Sequence, residues 1–472
     1  MVAWMKEFDF VVIGGGSAGY AAARTAAALG LRTAVVDGAE ELGGLCILRG
    51  CMPSKTLIES ANRMQEIREA GEFGLDAGPV RFDGQRIIAR KRRLIADFAS
   101  YRAGQLEGGA FELVRGRARF TGPHEIAVVL REGGETALRA RSFLVATGSV
   151  IRHPDIPGLA DAAPLTSDEV LDNPDPPASL IVLGAGPVAL ELAHYHNALG
   201  SRVTVIQRSP HILSSMDHDV SDTVQQGMEK HGVRFALGCR ILAAGCGAGG
   251  KWVRVESDGH EETHEADEIL LALGRDPATA GLDAGNAGLD IAPGARLATN
   301  AAQQTGVPHI FGAGDVTGEL EIVHIAIEQG EIAARNAARI LGGDSGPLEE
   351  IDYRLRLFAV FTQPEAAMVG LSERDARAAG RDVAAACYPF DDHGKSIVHG
   401  KIHGFVKLLA DRATGELVGG AVVGPHASEL IHEVVVALRY RATAAQFAKI
   451  PHYHPTLSEI WTYPAEELAA ST

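Results

Sequence analysis

The chain has 472 residues, more than one hydrophobic core usually organises, so roughly two to four domains are expected. Its formal net charge of −16 argues against nucleic acid or an anionic membrane as partner, because both are bound through basic surfaces. Five cysteines in this length do not make a disulfide scaffold, and no apolar run approaches the length of a membrane helix.

The N-terminal segment, Met1–Phe10, has no apolar stretch of the kind found in a secretory leader. The sequence therefore predicts a cytoplasmic protein. No cluster of metal-ligand residues stands out, so no metal site is expected.

The first predicted elements form a strand, a glycine-rich turn, an alanine-rich helix and a second strand, with the sequence FDFVVIGGGSAGYAAARTAAALGLRTAVVD over residues 8–37. This order is the βαβ unit that binds nucleotides. Gly14, Gly16 and Gly19 let backbone N–H groups approach a pyrophosphate at the positive end of the helix. Asp37 ends the second strand and is predicted to bind ribose hydroxyls. The alternative is that the glycines serve only tight turns.

Two cysteines five positions apart lie in the next segment, GGLCILRGCMPSKTL, residues 43–57. On an ideal helix their Cα atoms would lie roughly 8–9 Å apart, whereas a disulfide tolerates up to about 7 Å. If Cys46 and Cys51 bond, the residues between them must leave regular helix, which Gly50 makes easy. Pro53 suits the first turn of a following helix, where a thiol is expected to persist as thiolate. Zinc would need further ligands nearby, and two unrelated core cysteines remain an alternative.

The helix after the cysteines is predicted to bury one face, formed by Leu57, Ala61, Met64 and Ile67.

A second βαβ unit, ASLIVLGAGPVALELAHYHNALGSRVTVIQR, covers residues 178–208 and is predicted to bind NAD(P)H. Gly184 and Gly186 form its loop. Gln207 stands where an NAD enzyme usually has an acidic residue, and Arg208 could hold a 2′-phosphate. These residues favour NADP(H) over NAD(H). The alternative is that Arg208 is an ordinary surface charge.

Three further segments pair a short strand with a glycine turn. They are FLVATGS with Thr147 and Gly148, EILLALGRDP with Gly274, and PHIFGAGD ending at Asp315. From about residue 346 the pattern changes to short strands with helical stretches near 428–440 and 456–469, which predicts a mixed α+β domain.

The C-terminal stretch HYHPTLSE contains His454 and Glu459. Histidine carries protons at neutral pH, and a carboxylate can fix its tautomer and raise its basicity. On the residues alone a histidine near a C-terminus is more often unrelated to catalysis. The spacing of His452 and His454 leaves a metal site as a weaker alternative.

Taken in order, these motifs resemble the class I pyridine nucleotide–disulfide oxidoreductases, which include dihydrolipoamide dehydrogenase, glutathione reductase and mercuric reductase. The resemblance covers nearly the whole chain through GGLCILRGCMPSK, ATG, GAGPVALE, GRDP, FGAGD and HPTLSE. It implies an α/β fold of two Rossmann-like βαβ nucleotide-binding domains plus a C-terminal α+β dimerisation domain. The implied segments are FAD-binding 1–149 and 276–345, NAD(P)H-binding 150–275, and interface 346–472.

The resemblance also implies the roles of the site residues. Cys51 would be the thiol that interacts with the flavin of FAD, and Cys46 the thiol that attacks the substrate disulfide. Lys55 and Glu191 match an ion pair beside the reactive end of the isoalloxazine ring. Asp315 would hydrogen-bond the ribityl chain.

The His454–Glu459 pair is implied to reach the active site of the other subunit of a homodimer, and the His454–Pro455 bond resembles one that is cis in relatives. The HPTLSE motif is most like the lipoamide enzymes, so the expected substrate is a small-molecule or protein-bound disulfide. Arg49 beside the cysteines, and Trp461 and Tyr463 after the dyad, are expected to affect substrate choice. An NADPH-dependent reductase of another small disulfide, such as glutathione disulfide, and a non-catalytic redox-sensing flavoprotein remain alternatives.

Overall fold

The computed structural model describes residues 5–292 and 294–471. The predicted absence of a leader in Met1–Phe10 falls partly on Met1–Trp4, which lie outside the described residues, as do Pro293 and Thr472. No helix in the described part of the chain is long and apolar enough to cross a membrane. The same residues contain no group of three or more His, Cys, Asp or Glu side chains that could hold a metal ion.

The strands of the described residues, in chain order, are β1 (Lys6–Ile13), β2 (Thr33–Asp37), β3 (Glu112–Gly122), β4 (Glu125–Leu130), β5 (Glu135–Val145), β6 (Ser149–Ile151), β7 (Ser179–Leu183), β8 (Arg202–Gln207), β9 (Arg234–Leu237), β10 (Arg240–Gly247), β11 (Gly250–Ser257), β12 (His260–Ala266), β13 (Glu268–Leu271), β14 (Arg275–Pro277), β15 (Ile310–Gly312), β16 (Leu357–Val360), β17 (Glu365–Gly370), β18 (Val383–Pro389), β19 (Phe405–Asp411) and β20 (Leu417–Gly424).

The α-helices of the same residues are α1 (Ser17–Ala28), α2 (Gly44–Leu48), α3 (Cys51–Glu69), α4 (Gly84–Glu107), α5 (Ser167–Val170), α6 (Pro187–Ala198), α7 (His218–Lys230), α8 (Val323–Leu341), α9 (Glu373–Ala378), α10 (Gly394–Val398), α11 (Ala427–Arg439), α12 (Ala444–Phe447) and α13 (Thr462–Ser471).

The chain divides into two compact units whose boundaries fall twice inside a helix, in α3 and in α4. The first unit comprises Met1–Pro53, Ala89–Arg152 and Gly274–Asp352, and the second comprises Ser54–Ile88, His153–Leu273 and Tyr353–Thr472. The assignment of a cofactor to each segment stays a prediction.

In the first unit, the sheet is built around β1, which pairs in parallel with β2 and β5. Strand β15 extends it in parallel beyond β5, and β3 beyond β2. Strands β3, β4 and β5 form an antiparallel meander within the same sheet. Helices α1 and α8 pack their alanines against one core of this sheet, with Phe10, Val12 and Leu144 buried beneath them. The carboxyl ends of the parallel strands lead into the glycine turns, so these turns meet at one edge of the sheet.

In the second unit, β13, β7, β8 and β9 form a parallel sheet of four strands, in that order. Helix α6 follows β7 directly, which completes the second predicted βαβ unit. Strands β10–β12 form a separate antiparallel sheet, and β16–β20 form an antiparallel sheet in the order β16-β17-β20-β19-β18. Helix α11 and the C-terminal residues Ile460, Trp461 and Leu468 cover a core on this last sheet.

Most element boundaries agree with the sequence-based predictions within a few residues. The predicted buried face of α3 holds for Leu57, Ala61 and Met64 but is wrong for Ile67, which is 43% exposed. Ile67 lies in the last turn of α3, beyond the part that packs on Tyr195 and Leu199.

Candidate active site

The first glycine loop forms a compact turn at the start of α1. A Cβ on Gly19 would lie 1.8 Å from the carbonyl oxygen of Gly14, so only glycine permits this close approach. Gly16 is the N-cap of α1 and has no side chain to bond the first N–H groups of the helix. The first turn of α1 also contains no acidic residue. This end of the helix therefore has the features of an anion-binding site.

Asp37 is buried beside this loop at the end of β2. Its Oδ2 accepts the N–H of Gly15 at 2.9 Å, and its Oδ1 accepts the N–H of Ala39 at 2.8 Å. Each carboxylate oxygen can accept a second hydrogen bond, so the residue can still bind ribose hydroxyls. Asp37 thus fixes the loop, and its binding to ribose hydroxyls stays a prediction.

Three of the predicted glycine turns meet through Ser149. Its hydroxyl donates to Oδ2 of Asp315 at 2.7 Å and accepts from Nε of Arg275 at 2.7 Å. Nearby, the hydroxyl oxygen of Thr147 is buried and makes no hydrogen bond to the described residues. A buried hydroxyl without a protein partner and a backbone loop that excludes Cβ atoms both fit the polar groups of a dinucleotide such as FAD.

The cysteine segment begins directly against the first glycine loop. Gly44, the first residue of α2, has φ +74°, and a Cβ there would lie 2.7 Å from the Cα of Gly16. Glycine at both positions lets the two backbones touch. Cys46 lies in the first turn of α2, less than one helical turn after Gly44. This thiol is therefore close to the first glycine loop along the chain.

The two cysteines lie on separate helices, as the predicted break between them requires. Helix α2 ends at Leu48 and α3 begins at Cys51. A Cβ on Gly50 would lie 3.2 Å from the Cα of Cys46, so the chain folds back closely over that residue. Cys51 is exposed at the N-terminus of a helix of 19 residues, which has no acidic residue in its first turn. Such a position stabilises a thiolate.

A cation that the sequence analysis did not identify lies near Cys46. The guanidinium of Arg102, on α4, stacks 4.1 Å from the centroid of the Tyr20 ring. Burial lowers the pKa of Arg102, and electrostatic interactions with Tyr20 and Cys46 oppose that effect. Nε of Arg102 is buried without a hydrogen bond to the described residues. A cation of this kind favours the thiolate of Cys46. Because Arg102 is far from Cys46 along the sequence, no local motif indicates that the two are related.

Lys55 and Glu191 form a close ion pair, with 2.6 Å between Nζ and Oε2. The other carboxylate oxygen of Glu191 accepts the N–H of Phe361 at 3.1 Å. The ammonium group of Lys55 also lies 4.7 Å from the centroid of the Phe361 ring. The Glu191 side chain is only 4% exposed, so the lysine is held in one place. The pair forms as expected, and its action on a flavin remains a prediction.

The second glycine loop repeats the geometry of the first. Gly184 has φ +103° directly after β7, and Gly186 is the N-cap of α6, again without a side-chain cap. Arg208 follows β8 and is exposed, and its guanidinium forms no ion pair with the described residues. Gln207 accepts the backbone N–H of Arg208 at 3.1 Å. Gly274, after β13, has φ +103°. The second glycine loop could therefore bind the phosphates of a nucleotide, and the exposed guanidinium of Arg208 is free of an ion pair within the described part of the chain.

His454 and Glu459 form the predicted pair. Nδ1 of the histidine lies 3.0 Å from Oε2 of the glutamate. The imidazole is 80% exposed, whereas the Glu459 side chain is only 13% exposed, so a largely enclosed carboxylate holds an exposed histidine. The His454–Pro455 bond is cis, which confirms that prediction. Nε2 of His452 instead lies 2.6 Å from Oε1 of Glu433.

The expected influence of Trp461 on substrate access is wrong. Its side chain is fully buried in the core of the antiparallel sheet, where Nε1 donates to the carbonyl of Leu430 at 3.1 Å. Tyr463 is 40% exposed and stacks on Tyr388 with 3.9 Å between ring centroids. Arg49 is exposed at the end of α2.

Comparisons with known proteins agree with this geometry. The family model of pyridine nucleotide-disulphide oxidoreductases matches residues 8–330, and the model of their dimerisation domain matches residues 358–465. Dihydrolipoyl dehydrogenase of Chlamydia muridarum is 34% identical over 465 residues, covering 98% of this chain and 96% of that protein. Dihydrolipoyl dehydrogenase of Thermus scotoductus is 36% identical over 477 residues, covering 98% of each chain.

Solved structures give the same result. LpdA from Mycobacterium tuberculosis matches with a TM-score of 0.86 at 30% identity, over 98% of this chain and 99% of that chain. The HOCl-induced flavoprotein disulfide reductase RclA from Escherichia coli, solved as a Cu(II) complex, matches with a TM-score of 0.84 at 25% identity, over 98% and 100%. These findings confirm the predicted family resemblance and fold class.

Proposed function

Because the chain belongs to the pyridine nucleotide-disulphide oxidoreductase family, we propose that it moves electron pairs between a nicotinamide nucleotide and a dithiol or disulfide through Cys46 and Cys51. It is an oxidoreductase enzyme, and its dimerisation domain indicates a homodimer. Dihydrolipoyl dehydrogenases are among the relatives that it resembles over nearly its whole length. A dihydrolipoyl group is therefore the proposed substrate class.

The observation that carries the proposal is the contact between Gly16 and Gly44. It starts the cysteine helix against the dinucleotide loop, so a redox-active thiol pair and a phosphate-binding turn belong to one site in the first unit. Cys46 and Cys51 then lie on either side of a break between two helices, which allows them to approach each other more closely than a continuous helix would.

FAD, when bound, supplies the transfer of an electron pair between the nicotinamide nucleotide and the cysteine pair. The residues that would hold it are the first glycine loop for the pyrophosphate, Asp37 for a ribose, Thr147 for a polar group in the buried site, and Asp315 for the ribityl chain. Lys55, fixed by Glu191, would place a positive charge at the ring.

In the direction of disulfide reduction, the thiolate of Cys46 attacks one sulfur of the substrate, and the substrate S–S bond breaks. The leaving thiolate takes a proton from His454 of the partner subunit, which Glu459 orients. Cys51 then attacks the sulfur of Cys46 as a thiolate, which releases the second substrate sulfur as a thiolate and closes a Cys46–Cys51 disulfide. The released thiolate takes up a proton from the solvent. Two electrons have then passed from the cysteine pair to the substrate. Oxidation of a dihydrolipoyl group runs these steps in reverse, and the direction depends on potentials and metabolite ratios.

Anaerobic titration with NADPH and with NADH tests the proposal. The expected result is long-wavelength charge-transfer absorbance after addition of about one equivalent of the preferred nucleotide. Turnover is then measured with lipoamide and with glutathione disulfide, each with both nucleotides. Absence of absorbance change with both nucleotides would remove the proposed function.

A second candidate, an NADPH-dependent reductase of another small disulfide, is favoured by Gln207 and Arg208. Gln207 replaces the acidic residue that binds an adenosine ribose, and Arg208 offers an exposed guanidinium to a 2′-phosphate. The lipoamide and glutathione disulfide assays separate this candidate from the first. In both cases NADP(H) is the proposed nucleotide.

Replacing Arg208 with alanine tests the nucleotide proposal. A charge-assisted hydrogen bond contributes about 1.5–3 kcal/mol, so KM for NADPH is expected to rise about 10- to 100-fold. KM for NADH should change little, because NADH carries no 2′-phosphate. Arg202→Ala is the matched control, since Arg202 is exposed at the opposite end of the same strand. Equal effects on the two nucleotides would show that Arg208 does not read the phosphate.

A further inference from the structure

A second histidine lies behind the His454–Glu459 pair. His393 follows β18 at the start of α10, and its side chain is fully buried. Its Nε2 lies 3.4 Å from Oε1 of Glu459, while Oε2 of the same carboxylate contacts His454. One carboxylate therefore lies between an exposed imidazole and a buried one.

The contact of His393 with Ser396 decides which of its nitrogens carries the proton. Nδ1 lies 2.8 Å from the hydroxyl oxygen of Ser396, which is also buried. If the hydroxyl donates to Nδ1, the proton of the neutral ring lies on Nε2 and faces Glu459. The opposite tautomer would place a nitrogen lone pair against the carboxylate, which is unfavourable. The geometry thus selects the form that can donate to Glu459.

The surroundings of His393 keep it neutral at physiological pH. Burial lowers its pKa, and the nearby charge of Glu459 only partly opposes this. The titratable groups around it are Glu459, His454 and Tyr463, whose ring centroid lies 6.4 Å away, with Tyr388 stacked behind Tyr463. His393 is therefore a neutral hydrogen-bond donor and not a second proton carrier.

The distance of 3.4 Å is longer than a normal hydrogen bond, and Nε2 has no other hydrogen-bond partner among the described residues. A buried N–H without an acceptor destabilises the folded protein. A small rotation of the Glu459 carboxylate toward His393 would satisfy it. The terminal torsion of glutamate is soft, so one hydrogen bond to His454 alone would leave the carboxylate plane poorly defined.

From this arrangement we propose that His393 is a positioning residue, donating from Nε2 to Oε1 of Glu459 and so holding Oε2 against Nδ1 of His454. This inference rests on the proposed function, in which His454 transfers the proton to the leaving thiolate. His393 does not touch the substrate, and it acts only by fixing Glu459 and by drawing part of the carboxylate charge toward itself. Outer hydrogen-bond partners of this kind orient a functional imidazole in other sites.

Replacing His393 with leucine removes the donor and keeps an apolar side chain of similar bulk. The expected kcat for disulfide reduction falls about tenfold, while the rate of enzyme reduction by NAD(P)H does not change. With the donor gone, Glu459 keeps more negative charge for the protonated His454. The alkaline limb of the kcat profile is therefore expected to move to higher pH.

His393→Gln is the rescue variant, because its amide N–H can take the place of Nε2 without titrating. It should retain most of the activity and the wild-type pH profile. Ser396→Ala keeps the histidine and removes only the group that selects its tautomer, so it should shift the profile in the same direction by a smaller amount. It also serves if His393→Leu does not fold.

His399→Leu, on the residue that follows α10, is the matched control and should match the wild type. The inference is overturned if His393→Leu and Ser396→Ala leave the pH profile unmoved, or if they slow both half-reactions equally. The proposed function fails separately, if the wild-type enzyme is not reduced by either nucleotide. The two failures are therefore distinguishable in one set of measurements.

Discussion

Cys46→Ser is expected to reduce turnover with any disulfide substrate by about 10³-fold or more, because a serine hydroxyl cannot replace a thiolate as attacking and exchanging group. The substitution changes one atom in a partly exposed side chain, so the enzyme should fold normally and still be reduced by the nicotinamide nucleotide. Stopped-flow absorbance under anaerobic conditions separates these two half-reactions.

The two cysteines are expected to differ in their spectra. In Cys46→Ser the remaining thiolate, Cys51, is the one implied to lie nearer to the flavin, so long-wavelength absorbance should appear even without added nucleotide. In Cys51→Ser that absorbance should be missing, although turnover is lost equally. Absorbance in Cys51→Ser and not in Cys46→Ser would reverse the roles assigned to the two thiols.

Cys246→Ser is the control, since Cys246 is an exposed cysteine on β10 in the second unit. It should keep wild-type turnover. If Cys46→Ser retained turnover as well, disulfide reduction would not pass through Cys46, and the proposed cysteine relay would be wrong. The experiment therefore decides whether turnover depends on the Cys46–Cys51 relay.

Local sequence patterns were sufficient to predict the strands, helices and turns that are determined by interactions between neighbouring residues. The first strand and the alanine-rich helix predicted within residues 8–37 appear as β1 and α1, because alternation, glycine turns and capping act within a few residues. The same holds for the break between the two cysteines, which Gly50 indicated. Sites built from a loop and the helix after it are predictable on these grounds.

Contacts between distant segments could not be predicted in this way. Trp461 was expected near the substrate because it follows the dyad, yet the core beneath the antiparallel sheet buries it. His393 stands in the polar segment FDDHGKS, which shows no sign that one of its side chains is buried. Arg102 reaches Tyr20 only because α4 packs in the first unit. The pairing of Lys55 with Glu191 was predicted from the family resemblance. The positions of these two residues in the sequence would not reveal it.

His454→Gln is expected to lower kcat for disulfide reduction by about 10²- to 10⁴-fold, the usual contribution of a positioned general acid or base. The glutamine fills similar space and can still hydrogen-bond Glu459, but it cannot deliver a proton. Reduction of the enzyme by NAD(P)H should continue at the wild-type rate. His260→Gln, at an exposed position on β12, is the control and should have no effect.

The subunit that supplies the histidine can be identified with mixed dimers. A dimer of Cys46→Ser and His454→Gln chains contains one site with an intact Cys46 and, from the partner subunit, an intact His454. If the histidine acts across the interface, this dimer regains about half of the wild-type activity, although each parent homodimer is nearly inactive. If the histidine served its own chain, both sites of the mixed dimer would be defective.

A dimer of the wild type with the double variant has the opposite expected outcome. If the histidine acts across the interface this dimer is inactive, and if the histidine acts within one chain it is half active. The exposed position of His454, held by the less exposed Glu459, is the structural reason to expect the first result.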